Sequence, residues 1–281
     1  MTASTTGKLN VPGANLYYEV SGSGPSLLLI PGGAGEAGPY RGLAHQLADR
    51  FTVVTYDRRG FSGSLLDEPP IDDRRLEADG RDVRHLIQQV AHAPSYVFGS
   101  SSGAIVALDV LARYPEHVLK LVAHEPPLLT LLPDAKERLS FIDEVYETYL
   151  RAGVDAAFNQ FSVGTGLAAI SGLPSRIQVP ASAAKRMEEN RVFWFEHELR
   201  QYPRYVPNAT ALRAERARLI LAGGRDSRDK FPYQPNTVLA RMFGLNIVDF
   251  PGGHVGYVTH PREFAEQLAE VLGAFRHRVS P

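Results

Sequence analysis

The sequence contains no cysteine among its 281 residues. This absence excludes a disulfide framework, a thiolate nucleophile and a cysteine-ligated metal or cluster. An excess of charge of one sign is also lacking, because 30 Lys and Arg balance 31 Asp and Glu. A nearly neutral protein has no broad field for phosphates or anionic lipids. We therefore expect a small-molecule substrate, with neither nucleic acid nor a membrane surface as a partner.

Long apolar runs are missing as well. The strongly apolar segments are short, such as Leu27-Leu28-Leu29-Ile30, whereas a membrane span needs about 20 such residues. The first residues, MTASTTGKLN, lack the apolar stretch of a signal peptide. The sequence thus predicts a cytoplasmic protein, and it leaves the oligomeric state open between monomer and homodimer.

Short apolar runs alternate with helical patterns along much of the chain. Predicted strands are Leu16–Val20, Ser26–Ile30, Phe51–Tyr56, Ser95–Phe98, Val118–Ala123, Arg218–Ala222 and Leu245–Phe250. Predicted helices between and after them are Arg41–Asp49, Leu76–Val90, Ala104–Ala112, Thr237–Phe243 and Arg262–Phe275. This alternation is typical of βαβ units and predicts an α/β fold, a mostly parallel sheet with helices on both faces.

The alternation is interrupted in the middle of the chain. From about Pro133 to about Pro207 only helical patterns occur, over Leu139–Leu150 and Lys185–Arg200, with loops near Gly164–Pro174. We therefore expect a core formed by residues 1–130 and 208–281, and a helical cap, or lid, formed by residues 131–207.

The sharpest local motif is Gly99-Ser100-Ser101-Ser102-Gly103, between a predicted strand and a predicted helix. A G-x-S-x-G nucleophile elbow requires this context, because the strained turn leaves no room for side chains at the flanking positions. Only Ser101 has a glycine two residues away on both sides. A Ser/Gly-rich loop without catalytic function is the simpler alternative.

A serine nucleophile needs a base, and His254 is the best placed histidine. It follows the strand Leu245–Phe250 in a glycine-rich loop, at the strand end where α/β sheets present reactive groups. His124, at a strand end, and His197, in the cap, are weaker candidates. The other histidines lie in helical patterns or polar stretches.

The base needs an orienting carboxylate, and two candidates follow predicted strands. We favour Asp226, which lies just past Arg218–Ala222 and gives the chain order Ser101, Asp226, His254. Glu125 is the second choice, because it ends the neighbouring strand Val118–Ala123. Asp229 is a further acid close to Asp226.

The loop Pro31-Gly32-Gly33-Ala34-Gly35 follows a predicted strand and has small residues that let its backbone approach a carbonyl group. We expect an oxyanion hole formed by the N–H groups of Gly33 and Ser102, with Ala34 as the substitute donor if the loop is shifted by one residue.

With these motifs the sequence resembles the α/β-hydrolase fold superfamily from about Leu9 to about Phe275. The stretch from Asp57 to Ser64 is similar to that family's D-x-R-G-x-G-x-S turn, in which Asp57 and Arg59 are structural. The resemblance implies a catalytic triad of Ser101, Asp226 and His254. The chain departs from the family at Pro31, where the family commonly has a histidine.

The resemblance also separates this chain from some relatives. Epoxide hydrolases and haloalkane dehalogenases have an Asp nucleophile at the elbow. Proline iminopeptidases need acidic cap residues, and Glu188, Glu189, Glu196 and Glu198 are available here, although charged helix residues usually face solvent.

The cap is expected to select the substrate. Phe193 and Trp194, with Glu125 at the sheet edge, are candidate substrate-binding residues. The aromatic residues of the cap, which also include Phe141, Tyr146, Tyr149 and Phe195, more often pack with one another than line a pocket.

These features predict a hydrolase, an esterase that cleaves a small-molecule carboxylic ester, thioester or lactone through an acyl-Ser101 intermediate. We expect it to use no cofactor and no metal. The alternatives are a C–C bond hydrolase, a cofactor-free perhydrolase or oxygenase, and a non-catalytic receptor of the same fold that binds a small molecule.

Overall fold

The structure is a computed structural model that describes residues 4–167, 180–228 and 230–274. Nine strands lie in these ranges. In chain order they are β1 Thr5–Val11, β2 Ala14–Ser21, β3 Ser26–Ile30, β4 Thr52–Tyr56, β5 Leu65–Leu66, β6 Ser95–Ser100, β7 Val118–His124, β8 Leu219–Gly224 and β9 Ile247–Phe250. Every strand expected from the sequence is present. β1 and β5 are strands that the pattern does not predict.

All nine strands belong to one sheet. Its order is β1-β2-β4-β3-β6-β7-β8-β9, and β5 pairs with β2. β2 pairs antiparallel with β1 and β4, whereas every pair from β4 to β9 is parallel. The predicted mostly parallel sheet is therefore confirmed, and its carboxyl ends collect the loops that follow β3, β6, β7, β8 and β9.

Ten α-helices lie in the described ranges. They are α1 Arg41–Leu47, α2 Arg75–Leu86, α3 Ser102–Arg113, α4 Ala135–Ala152, α5 Val154–Gly164, α6 Ala181–His197, α7 Ala209–Ala214, α8 Gln234–Phe243, α9 Gly256–Thr259 and α10 Pro261–Leu272. A π-helical turn over Ile87–Ala91 extends α2. No helix in these ranges is long and apolar enough to cross a membrane.

Both faces of the sheet are covered, because side chains alternate along each strand. In β3, Leu28 and Ile30 join a core with α2, α3 and α8. Leu27 and Leu29 point the other way, into a core with α1 and α10. All five residues of β3 are buried and the last four are apolar, as a parallel strand between two helical layers requires.

Between β7 and β8 the described residues form helices and connecting loops, and no strand. α4, α5 and α6 share an apolar core that includes Ile142, Val145, Ala157, Phe195 and Leu199. The loop predicted near Gly164–Pro174 lies mostly outside the described residues. The boundaries of a cap at residues 131–207 stay a prediction.

Gly103, the second residue of α3, brings this helix against the end of β3. A Cβ atom at Gly103 would lie 2.3 Å from the Ile30 carbonyl oxygen and 2.6 Å from that of Pro31. Gly103→Ala should therefore lower the free energy of unfolding, measured by urea denaturation, by about 1–3 kcal/mol.

A matched control is Gly42→Ala in α1, where an added Cβ atom would meet only Pro261 at an ordinary 3.6 Å. Alanine lowers the entropy of the unfolded chain, so this variant should be more stable than the parent by up to about 1 kcal/mol. A Gly103→Ala variant as stable as Gly42→Ala would contradict the close packing of α3.

Candidate active site

Ser101 lies on a sharp turn between β6 and α3. Its backbone has φ 56° and ψ −127°. Residues other than glycine rarely adopt this conformation, which costs about 1–3 kcal/mol. The Ser101 N–H donates to the His124 carbonyl at 2.9 Å, which ties the turn to β7. A Cβ atom at Gly99 would lie 2.3 Å from the Gly103 carbonyl oxygen, so the turn has no room for a side chain there. The local geometry is that of a nucleophile elbow.

Glu125 and His254 form the shortest contact between the candidate residues. The His254 Nδ1 atom lies 2.6 Å from Glu125 Oε2, and Glu125 Oε1 accepts the Gly224 N–H at 2.8 Å. Glu125 is fully buried, and the His254 side chain is 12% exposed. A carboxylate on Nδ1 places the proton on that nitrogen and leaves Nε2 as the proton acceptor.

This contact corrects the expectation that Asp226 orients His254. Asp226 is exposed in a short turn after β8, and its carboxylate has no hydrogen bond or ion pair with a described residue. Its backbone N–H instead donates to the Gly252 carbonyl at 3.0 Å, in the loop that carries His254. Asp229 lies outside the described residues.

Glu125 reaches His254 because of where β7 lies. β7 is hydrogen-bonded to β6 on one side and β8 on the other, and Ser100 pairs with His124 across the first of these edges. The residues that follow this pair are Ser101 and Glu125. The sheet therefore places Ser101 and Glu125 side by side, each directly after its strand.

Two neighbouring groups stabilise the negative charge of the buried Glu125 carboxylate. Burial disfavours the carboxylate, but the hydrogen bond from His254 and the N–H of Gly224 hold the pKa of Glu125 below its usual value. Glu125 is thus an anion at neutral pH, suited to stabilise a positive charge on His254.

Ser101 and His254 are not hydrogen-bonded to each other here. Within the described parts of the chain, the Ser101 hydroxyl and His254 Nε2 have no hydrogen-bond partner, so both are uncommitted. Nucleophile–base hydrogen bonds are often long without substrate and shorten when it binds.

His124 has a different environment from His254. It is fully buried among Phe98, Phe250 and Phe264, and its Nδ1 atom lies 3.1 Å from Ser100 Oγ. Burial lowers the pKa of His124 to about 4. It is therefore a neutral residue beneath the elbow. His197, the other weaker candidate, lies 2.8 Å from Asp72 at the cap.

The glycine loop passes directly beside the elbow. A Cβ atom at Gly32 would lie 2.9 Å from the Ser100 carbonyl oxygen and 3.1 Å from Ser101 Cβ. Ser102 begins α3, and the N–H groups of a first helical turn have no acceptor within the helix. The assignment of the Gly33 and Ser102 N–H groups to an oxyanion hole stays a prediction.

The aromatic candidates of the cap divide into two groups. Trp194 lies against the glycine loop, since a Cβ atom at Gly33 would be 2.9 Å from its Nε1 atom. Phe193 instead contacts Phe61, with ring centres 4.9 Å apart, and Arg75, 4.6 Å from its ring. Trp194 is next to the glycine loop, and Phe193 packs α6 against Phe61 and Arg75.

Glu198 is not a solvated helix residue, as charged cap residues were expected to be. It is buried, and it pairs with Arg58 at 2.8 Å and with Arg75 at 2.8 Å. Asp57 and Arg59 have contacts of the structural kind: Asp57 accepts the N–H groups of Ala37 and Gly63, and Arg59 pairs with Asp82. Across the described ranges, no group of three or more His, Asp or Glu side chains is arranged to hold a metal ion.

The sheet and this set of strand-end residues define an α/β hydrolase. A model of the alpha/beta hydrolase family matches residues 27–267, and the chain belongs to that family.

Three known proteins illustrate the similarity. The chain is 37% identical to "Uncharacterized hydrolase YraK" of Bacillus subtilis (strain 168), over 95% of each chain. It is 28% identical to a zearalenone hydrolase of Bionectria ochroleuca, over 92% of this chain and 94% of the relative. The crystal structure of a bromoperoxidase from Bacillus anthracis superposes with a TM-score of 0.70, at 18% identity over 96% of this chain and 99% of the other. At that identity the last comparison concerns the fold alone.

The Glu125–His254 contact predicts which carboxylate matters for turnover. Glu125→Gln keeps the shape of the side chain but removes the charge that fixes the tautomer of His254. We expect kcat for a p-nitrophenyl ester to fall by on the order of 10³- to 10⁴-fold. Asp226→Asn, the matched control, should keep kcat close to the parent value. A larger loss in Asp226→Asn than in Glu125→Gln would refute the assignment.

His124 predicts part of the acid sensitivity of the fold. Its pKa is 6.5 in a model peptide and about 4 in the folded protein. Between these values the unfolded chain binds a proton that the folded protein does not, so this group lowers the free energy of unfolding by about 3 kcal/mol from pH 7 to pH 4. The full stability is present above pH 6.5.

The test is urea denaturation of the parent and of His124→Gln at both pH values. Glutamine retains a polar group for Ser100 and does not titrate, so the variant should lose less stability on acidification by that amount. The same pH dependence in both proteins would contradict the neutral state of His124.

Proposed function

We propose that the protein is a serine hydrolase that cleaves a small-molecule carboxylic ester, thioester or lactone through an acyl-Ser101 intermediate. The observation that carries this proposal is the 2.6 Å contact between Glu125 and His254 at the sheet edge where Ser101 lies on its turn. Membership of the alpha/beta hydrolase family and two relatives named as hydrolases support the class of reaction.

The reaction has two halves. Ser101 Oγ attacks the carbonyl carbon, its proton passes to His254 Nε2, and Glu125 stabilises the resulting imidazolium. The N–H groups of Gly33 and Ser102 hold the oxyanion. As the bond from the acyl carbon to the leaving oxygen or sulfur breaks, His254 protonates that atom; the alcohol or thiol departs from an ester or thioester, whereas the alcohol of an opened lactone stays attached to the acyl group on Ser101. In the second half His254 takes a proton from the water that attacks the acyl carbon, the bond from that carbon to Ser101 Oγ breaks, and His254 returns the proton to Oγ as the carboxylic acid is released.

Two features favour an apolar or aromatic substrate. Trp194 lies against the glycine loop. Phe161 packs edge-on against Trp194, with ring centres 5.1 Å apart. Apolar and aromatic walls with few polar groups are typical of small-molecule sites. The similarity to zearalenone hydrolases makes zearalenone itself one compound to test.

The experiment combines a substrate panel with a covalent probe. The panel contains p-nitrophenyl esters of increasing acyl length, aryl lactones, a thioester and zearalenone, and the probe is a fluorophosphonate that labels activated serines. We expect turnover of at least one panel member, and labelling mapped by mass spectrometry to Ser101.

Two serine variants make the assignment specific. Ser101→Ala should abolish both turnover and labelling, whereas Ser100→Ala, which removes the neighbouring hydroxyl, should retain labelling. Labelling that persists in Ser101→Ala would refute this nucleophile. If no panel member is turned over and the parent protein is not labelled, the proposal fails and a binding protein is favoured.

A further inference from the structure

The peptide between Gly32 and Gly33 is held from its carbonyl side. The Gly32 carbonyl oxygen accepts the Gly35 N–H at 2.9 Å and Arg58 Nη1 at 3.3 Å. In a trans peptide the C=O and the following N–H point in opposite directions. The two hydrogen bonds on the Gly32 carbonyl therefore fix the direction of the Gly33 N–H.

Of the two groups that donate to the Gly32 carbonyl, the Arg58 guanidinium is charged and the Gly35 N–H is neutral. Its side chain is fully buried, and one guanidinium group contacts Asp79 at 2.6 Å, Glu198 at 2.8 Å and the Tyr202 hydroxyl at 2.8 Å. Hydrogen bonds from its two Nη atoms to four partners hold the guanidinium group in one position. A charged donor also polarises the peptide it binds, which makes the N–H on the other end a better donor.

The partners of Arg58 come from both parts of the molecule. Asp79 belongs to α2 of the core, whereas Glu198 and Tyr202 follow α6 of the cap. One turn before Glu198, Trp194 lies against Gly33. The end of α6 thus acts on the glycine loop directly through the indole and indirectly through Arg58.

The charges in this cluster are balanced. Arg75 also pairs with Glu198, through Nε at 2.9 Å, so two arginines face two carboxylates. Burial disfavours ionisation of Asp79, but Arg58 and Arg75 hold its pKa below the usual value. Arg75 has no hydrogen bond with the glycine loop; it donates instead to the Arg59 carbonyl.

We propose that Arg58 is a positioning residue of the oxyanion hole: it holds the Gly32 carbonyl and thereby aims the Gly33 N–H at the oxyanion on the substrate of Ser101. The proposal rests on the function proposed above, because the Gly33 N–H matters only if an oxyanion forms there. Asp79 and the Tyr202 hydroxyl hold Arg58 together with Glu198, so the contact with Gly32 does not depend on Glu198 alone.

The test compares Arg58→Lys with Arg75→Lys. Both variants retain the charge and shorten the reach of one arginine in the same cluster. A lysine at position 58 has a single nitrogen, which the carboxylates of Asp79 and Glu198 will attract away from the Gly32 carbonyl. Lysine at position 75 leaves that carbonyl contact intact.

The readouts separate transition-state stabilisation from folding. For Arg58→Lys we expect kcat to fall about 10- to 100-fold, a smaller loss than removal of a whole oxyanion-hole donor, with KM nearly unchanged. The affinity for a trifluoromethyl ketone, whose adduct with Ser101 carries an oxyanion, should fall by the same factor. Arg75→Lys should keep kcat and inhibitor affinity, even if its melting temperature falls as much as that of Arg58→Lys.

Two double variants keep the test decisive if Arg58→Lys does not fold. Arg58→Met/Glu198→Gln and Arg75→Met/Glu198→Gln each remove one positive and one negative charge, so the buried cluster stays neutral in both, and methionine has no hydrogen-bond donor. Only the first loses the donor to Gly32, and only the first should show the loss of kcat and inhibitor affinity.

The outcomes distinguish this inference from the proposed function. Equal losses of kcat in the two members of a pair, or a loss confined to KM, would overturn the role of Arg58 while Ser101 is still labelled by the fluorophosphonate. Absence of Ser101 labelling in the parent protein would instead refute the hydrolase itself.

Discussion

Two arginines and two carboxylates, all removed from water, hold three parts of this molecule together. Arg58 follows β4, Arg75 and Asp79 belong to α2, and Glu198 lies at the end of α6. Each buried charge carries a large desolvation cost that only its partners offset. Because a missing partner leaves an uncompensated charge, the contact between the end of α6 and the core is close to all-or-none. Because Arg58 also donates to the Gly32 carbonyl, the same ion pairs restrict the position of the glycine loop.

A second constraint comes from the parallel pairing of β6 with β7. Ser101 and Glu125, which directly follow the paired residues Ser100 and His124, both have positive φ angles, 56° and 49°. Such conformations persist only where the surroundings over-determine them. Here the Ser101 N–H binds the His124 carbonyl, and the Glu125 N–H binds the Ala222 carbonyl. The strain at both residues is thus sustained by the sheet that places them next to each other.

The sheet and most helices were predictable because each has a local pattern of apolar residues. β3 contains an apolar run of four residues, β4 consists mostly of β-branched residues, and the two glycines around Ser101 reflect a steric requirement of the turn itself. β1 escaped prediction because it is an edge strand with largely exposed, polar side chains, so its sequence has no apolar signal.

The partner of His254 was harder to predict because it depends on distant parts of the chain. Asp226 and Glu125 both follow apolar strands, and the choice depends on side-chain direction after β8 and on the pairing of β6 with β7. The same holds for Glu198, whose partner Arg58 is 140 residues away. A charged helix residue has no local mark that distinguishes a solvated position from a buried ion pair. A carboxylate that directly follows an entirely buried strand end, as Glu125 does, is the signal that sequence reasoning can use.

The sequence has one tryptophan, and the fold places its indole against Gly33. Indole emission responds to the polarity of its surroundings, and here those surroundings are the place where a substrate carbonyl would lie. The molecule therefore contains an intrinsic optical reporter beside the proposed oxyanion hole. A ligand that binds beside the glycine loop, or a movement of α6 away from it, would change the light emitted by one known residue, with no added label and no second tryptophan to correct for.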